Sequence, residues 1–172
     1  MYEMLIKIIA DGAVVPVVLI GAWALLWLIP NENKYAAYCR ILMAGLTAYL
    51  FAKLIGSIYQ PEMQRPFEVL GVQAKASFLD NPGFPSDHLL FCATITLAVW
   101  FETRHKKVTF VLVGLSLLVA LGRVLGLVHT PLDVIGGVLI ASIGALWCLQ
   151  RSDKLLQPNK PLWHKKQKSG KV

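Results

Sequence analysis

Apolar residues in this chain come in long runs, with no polar face at helical spacing and no strand-like alternation. That is the pattern of segments surrounded by lipid. Five such runs predict five membrane-spanning helices. The first covers residues 12–29, 18 residues without a charge, with Pro16 as a kink. The second covers 37–58 and carries Lys53 near its far end; the others cover 86–101, 108–125 and 131–149. Uncharged stretches in the later runs fall short of the ~20 residues a spanning helix needs, and polar residues complete each at one end. Residues 2–10 suit a short interfacial helix. The expected fold is all-α, a polytopic transmembrane helical bundle.

Composition agrees with the pattern. Hydrophobic residues make up 56% of the 172 and charged residues 16%, against about 25% charged in soluble domains; mean hydropathy is +0.57. The length suits one domain, divided into a membrane domain over 1–150 and a basic tail over 151–172. Glu3 and Lys7 fall within the first ten residues, and no small-residue cleavage site follows the first apolar run, so that run is expected to stay as a span. Cys39, Cys92 and Cys148 are far apart, with neither disulfide nor metal spacing, and read as small packing residues.

Charge then orients the runs. The segment 102–107 has three Lys/Arg against one acid, and 30–40 carries Lys34, Arg40 and Glu32. The tail holds seven Lys/Arg and one Asp, most of the chain's net +7. The positive-inside rule makes all three cytoplasmic. Segments 59–85 and 126–130 then face outward, and an odd number of spans puts the N-terminus outside. Trp27, Tyr35, Tyr38, Trp100 and Trp147 sit where an inner aromatic belt would. The tail has no aromatic interleaving beyond Trp163 and follows directly on a span. Anionic lipid is therefore its expected partner rather than nucleic acid.

The polar residues that remain fall in three clusters, all at the expected outer ends of spans. They are Lys53 with Arg65-Pro66-Phe67, then Phe84-Pro85-Ser86-Asp87-His88, then Gly122-Arg123 and His129-Thr130-Pro131-Leu132-Asp133. Ionisable groups beside a bilayer are costly, so their gathering at one depth points to function. Ser86 and Asp87 open an apolar run, where the unpaired N–H groups of a helix start bind phosphate. Arg65 and Arg123 can grip phosphoryl oxygens bidentately, which lysine cannot. His88 and His129 suit proton transfer or nucleophilic attack near neutral pH. Asp133 stands four residues after His129, a spacing that lets a carboxylate orient an imidazole. Nothing in this set suggests a divalent metal cage, and no cofactor is expected.

Plainer accounts exist for each piece. Ser86 is a respectable helix N-cap, and Thr130-Pro131-Leu132-Asp133 reads as a capping box with Pro at the first helical position. The arginines could merely contact lipid headgroups. His105 and His164 lie in basic segments and read as solvated. Taken together, however, two His, two Arg and an Asp on one face favour a site that binds and works on phosphate.

The clusters resemble the three-part motif of the type 2 phosphatidic acid phosphatase superfamily of membrane phosphatases. That pattern is Lys, six residues, Arg-Pro; then Pro-Ser-Gly-His; then Ser-Arg, five residues, His, three residues, Asp. The third part stands here as Gly122-Arg123, five residues, His129, three residues, Asp133, with spacing intact. The second stands as Pro85-Ser86-Asp87-His88, and the first ends in Arg65-Pro66-Phe67. The match covers residues 53–133. Eleven residues, not six, separate Lys53 from Arg65, and the six-residue register lands on Gln60-Pro61. Gly122 replaces the motif serine and removes a hydroxyl donor. Asp87 replaces a glycine, placing an acid where phosphate binds unless a basic residue pairs with it. The Pro-Ser-Asp-His form, the Arg-Pro-Phe ending and the short chain look most like the bacterial undecaprenyl-diphosphate phosphatases.

The resemblance implies that His129 attacks the terminal phosphorus to form a phosphohistidine, with Asp133 holding its ring. It implies that His88 protonates the leaving oxygen, and that Arg65, Arg123, Ser86, Asp87 and Lys53 surround the phosphate. The implied substrate is an isoprenoid lipid diphosphate taken sideways from the bilayer. Phosphatidylglycerophosphate, phosphatidic acid and lipid A phosphates are the rival substrates. A non-catalytic lipid-phosphate binder and a structural membrane subunit are the rivals from other classes.

Overall fold

A computed structural model describes residues 2–61, 64–78 and 83–149. The basic tail over 151–172 lies outside the described residues. Within them every regular element is helical, so the all-α expectation holds. Four helical stretches are long and apolar enough to cross a membrane: Tyr2–Trp27, Asn31–Ile58, Lys106–Leu125 and Pro131–Leu149.

The first stretch differs from expectation. Instead of a separate interfacial helix followed by a span, α1 (Tyr2–Lys7) runs through a π-helical turn over Ile8–Gly12 into α2 (Val14–Trp27). Asp11 and Lys7 do not stop the helix: Lys7 is exposed, and Asp11 is hydrogen-bonded to side chains of later segments. A 3-10 turn over Asn31–Asn33 leads into α3 (Lys34–Ile58), and a short α4 (Pro66–Val69) follows. Next come α5 (Asp87–Thr103), α6 (Lys106–Leu125), α7 (Pro131–Gly144) and α8 (Leu146–Leu149). The third expected span corresponds to α5, which is not among those four: its 17 residues reach about 25 Å at 1.5 Å per residue.

Packing explains why α5 can be short. It is the inner helix of the bundle. One side meets α2 and α6 through Val17, Leu89, Cys92, Val99, Leu112 and Val119. The other meets α3 and α7 through Ala48, Ala52, Leu90, Ala93, Ile140 and Ala141. Small residues set the second contact. Ala37, Ala44, Ala48 and Ala52 recur along the buried stripe of α3. On α7, a Cβ at Gly137 would stand 2.8 Å from the Ser86 carbonyl oxygen, so glycine lets α7 touch the start of α5. The outside of the bundle is apolar, with Leu19, Leu42, Phe110 and Leu139 all exposed. Cys92 and Cys148 are buried packing residues as expected, whereas Cys39 is exposed on α3.

One end of the bundle closes with an ion pair. Arg40 of α3 donates from Nε to Glu102 Oε1 at 2.8 Å and from Nη2 to Oε2 at 2.6 Å, and Glu102 is buried at the end of α5. The opposite end collects the three sequence clusters.

Candidate active site

Each cluster reaches that end by a different local route. Arg65 precedes α4, whose Pro66 stands at the first helical position, where a missing N–H costs nothing. The strap is tied down on both sides. The Phe67 N–H donates to the Leu127 carbonyl at 3.0 Å, and Arg65 Nη1 donates to the Val128 carbonyl at 2.8 Å. The Arg65 guanidinium also lies 5.3 Å from the Phe78 ring. Arg65 is thus buried beside His129 despite the eleven-residue interval after Lys53. The extra residues let α3 run on to Ile58 before the chain crosses to the site.

The residue at the family's six-residue register has a job of its own. Gln60 clasps Phe84 by its backbone: Nε2 donates to the Phe84 carbonyl at 3.2 Å, and the Phe84 N–H donates to Oε1 at 3.4 Å. Nε2 also bonds the Gly56 carbonyl. Gln60 therefore fixes the entry to the second cluster, which no motif count could foresee.

Ser86 stands at the N-cap position of α5, but its hydroxyl caps nothing. It is fully buried, and its N–H donates to the Asp133 carbonyl at 3.0 Å. The plain capping account of Ser86 is therefore set aside. Asp87 meets Lys53 Nζ at 3.4 Å, with both side chains partly exposed. Lys53 thus reaches the second cluster, and the acid at the glycine position has the basic neighbour it needs. His88, half-buried on the first turn of α5, has Arg123, Asp11, His129 and Asp87 as its ionisable neighbours.

The third cluster is the most buried. Thr130 and Asp133 do form the expected capping box: the Thr130 N–H donates to Asp133 Oδ2 at 2.8 Å, and the Asp133 N–H to Thr130 Oγ1 at 3.3 Å. The same Oδ2 lies 3.5 Å from His129 Nδ1. One carboxylate thus caps α7 and faces the imidazole. Burial holds the His129 pKa below the ordinary histidine value. Asp133 opposes that shift, while the charges of Arg123 and Arg65 add to it. The ring is therefore kept neutral.

Arg123, near the end of α6, is 1% exposed, and its partner was not foreseen. Its Nη1 donates to Asp11 Oδ1 at 2.9 Å and to the Ser77 carbonyl at 2.7 Å. Asp11 in turn accepts from Ser77 Oγ at 2.6 Å and from the Ser77 N–H at 3.0 Å. Gly122 is also explained. A Cβ there would stand 2.5 Å from the Ala10 nitrogen and 2.6 Å from its Cα, so the π-helical turn occupies the space a serine side chain would need. The signal for Asp11 was present as an isolated acid beside the first apolar run.

Three buried side-chain atoms lack a hydrogen-bond partner among the described residues: Ser86 Oγ, Arg123 Nε and His129 Nδ1. Buried polar atoms are nearly always paired, and all three of these belong to the motif. Arg65 and Asp133 flank Gly83, where a Cβ would lie 3.9 Å from Arg65 Cγ and 3.7 Å from Asp133 Oδ2. The five residues Arg65, Ser86, Arg123, His129 and Asp133 are brought together; His88 joins them from α5, and Lys53 and Asp87 pair at the rim. Such a set can hold an oxyanion and present a neutral imidazole to it.

Comparison with known proteins agrees. Undecaprenyl-diphosphatase BcrC of Bacillus subtilis (strain 168) is 31% identical over 136 residues, 77% of this chain and 66% of the relative. The bacitracin transport permease protein BcrC of Bacillus licheniformis is 28% identical over 132 residues, 75% of this chain and 62% of that protein. The chain thus spans just under two thirds of the length of these curated relatives. No solved structure is significantly similar. The model of the PAP2 superfamily matches residues 34–156, which takes in every clustered residue except Asp11, and the chain belongs to that superfamily.

Proposed function

We propose that the chain removes the terminal phosphate of undecaprenyl diphosphate, or a related isoprenoid lipid diphosphate, at the outer face of a bacterial cytoplasmic membrane. The observation that carries this is the buried His129–Asp133 pair with Arg65 and Arg123 beside it. With Nδ1 turned to Asp133, the lone pair of Nε2 attacks the terminal phosphorus. The bond from phosphorus to the bridging oxygen breaks, and His88 gives that oxygen its proton, releasing the lipid monophosphate. His88 then takes a proton from water, whose oxygen attacks the phosphohistidine. Inorganic phosphate leaves and His129 is restored. Arg65, Arg123, Ser86 and the first N–H groups of α5 hold the equatorial oxygens as charge develops. Lys53 and Asp87 shape the rim.

An apolar groove supports a lipid substrate. It holds about 390 Å³ and is lined by Leu89, Ala93, Leu117, Val134 and Ile135 among others. Leu89 and Val134 adjoin His88 and Asp133 in sequence, so an isoprenoid chain lying there brings its headgroup to the histidines. In this reading α5 crosses the membrane with the four longer helices. The Arg40–Glu102 end and the basic tail then face the cytoplasm.

Phosphate release from undecaprenyl diphosphate by the purified protein in EDTA tests the reading. Metal-dependent release would overturn the mechanism. Faster turnover of phosphatidylglycerophosphate, phosphatidic acid or lipid A phosphate would reassign the substrate. Capture without cleavage is the second reading, favoured by the missing hydroxyl at Gly122 and by the transport named for the second relative. Tight lipid binding with no phosphate released over hours would decide for it.

A further inference from the structure

We propose that Asp11 is a positioning residue for Arg123, and that Gly122 is the other half of the same device. The inference rests on the phosphatase reading of the site. It starts from the geometry of a guanidinium, whose five N–H bonds point along fixed directions in one plane. Asp11 Oδ1 and the Ser77 carbonyl take both hydrogens of Nη1. That pins one corner of the fork. Nε, buried and without a partner among the described residues, lies away from the pinned corner, on the edge that can pair with a phosphoryl oxygen.

Asp11 is itself held. Its other oxygen accepts two hydrogen bonds from Ser77, so the carboxylate cannot turn with the arginine. The helix that carries it makes a π-helical turn over Ile8–Gly12; such turns shift the register of side chains and are common at functional sites. The turn can approach α6 only because residue 122 has no Cβ. A buried arginine also needs a counter-charge before any anionic substrate arrives, and Asp11 supplies it. With both in place, Arg123 is held for the transition state rather than drawn onto the ground-state phosphate.

That last point gives a signature that loss of folding would not. In Asp11→Ala, kcat for undecaprenyl diphosphate should fall on the order of 100-fold. Meanwhile the half-saturating concentration of inorganic phosphate, read as thermal stabilisation of the full chain, should fall, because the released arginine can reach the ground-state anion. Asp11→Asn keeps the shape, guards against a failure to fold, and should move both readings the same way by less. Asp11→Glu should recover part of kcat. In an Arg123→Lys background, Asp11→Asn should cost less than twofold more, because its effect passes through the arginine. Arg40→Gln, at the other end of the bundle, is the control: it lowers thermal stability and leaves kcat within twofold.

Unchanged kcat in both Asp11→Ala and Asp11→Asn would overturn the proposal. So would phosphate binding that weakens in step with stability. If the wild type releases phosphate from none of the lipids, the phosphatase reading falls. The phosphate-binding arm still decides on Asp11, since tightening that vanishes beside Arg123→Lys upholds the coupling and any other result refutes it.

Discussion

Two arginine–carboxylate pairs stand at opposite ends of this bundle, and they use the arginine differently. At one end Arg40 gives both Nε and Nη2 to Glu102, a bidentate grip that spends the fork on one carboxylate. At the other, Arg123 gives Nη1 alone to Asp11 and the Ser77 carbonyl, and its Nε edge stays open. Both pairs neutralise a charge inside an apolar bundle. Only the second leaves the Nε edge of its arginine open, and it sits with the two histidines. An ion pair that closes on itself is structural; one that holds an arginine by a corner presents it.

The sharpest way to break this comparison is at the residue the open end serves. His129→Ala should lower kcat on the order of 10⁴-fold or more, with the thermal midpoint nearly unchanged, since Nδ1 makes no short bond that folding depends on. Turnover near the wild-type level would remove His129 as nucleophile and leave the open arginine without a purpose. The next effect separates the two arginines directly. Arg123→Ala should cost about 10²–10³ in kcat, as loss of an oxyanion donor does. Arg40→Gln should cost about 1–3 kcal/mol of stability, because buried Glu102 loses a charged partner, and little turnover in the protein that stays folded. Kinetics and a melting curve on the same two variants suffice.

How much of this was legible in the sequence follows from the distances involved. The runs, the motif order and the His129–Asp133 spacing were readable because each is local: a run is contiguous, and a four-residue spacing survives any packing. The capping box of Thr130 and Asp133 was readable for the same reason. Asp11 was not. Its partner is 112 positions away, and the π-helical turn that aims it has no residue signature. Gly122 looked like a lost hydroxyl because the backbone that fills its place belongs to that same distant turn. Gln60 was passed over because the family register pointed to an arginine there. Ser86 was legible as a cap, yet its hydroxyl does not cap.

Gly122→Ser, which restores the family residue, tests the second half of the device. The added Cβ would press on the Ala10 backbone, and overpacking of that kind costs about 1–3 kcal/mol. With the turn displaced, kcat should fall by roughly tenfold. A serine variant that gains activity would show that the turn can yield and that Asp11 does not depend on the contact.

The pH dependence of kcat/KM reads the charge around His129. Its folded pKa lies below the ordinary value of about 6.5, so the neutral, attacking form persists as pH falls past that value, and the acid limb should lie below it. The Arg65 charge contributes to the lowering. In Arg65→Gln the normalised acid limb should therefore move to higher pH, whatever the loss in absolute rate. A limb that moves down would mean that another group titrates there.

The smallest effect belongs to the rim. Lys53 and Asp87 meet at 3.4 Å with both side chains partly in contact with solvent, where such pairs add at most about 1 kcal/mol. Lys53→Met should leave stability within about 0.5 kcal/mol and lower kcat/KM by roughly threefold, chiefly through KM, because Asp87 then faces the incoming phosphate without its cation. Asp87→Asn in the same background removes that repulsion and should restore most of the loss. If the double variant stays as slow as Lys53→Met, Lys53 touches the phosphate itself. The open end of the bundle would then hold a third cation, extending the contrast with the closed Arg40–Glu102 pair from one arginine to the whole rim.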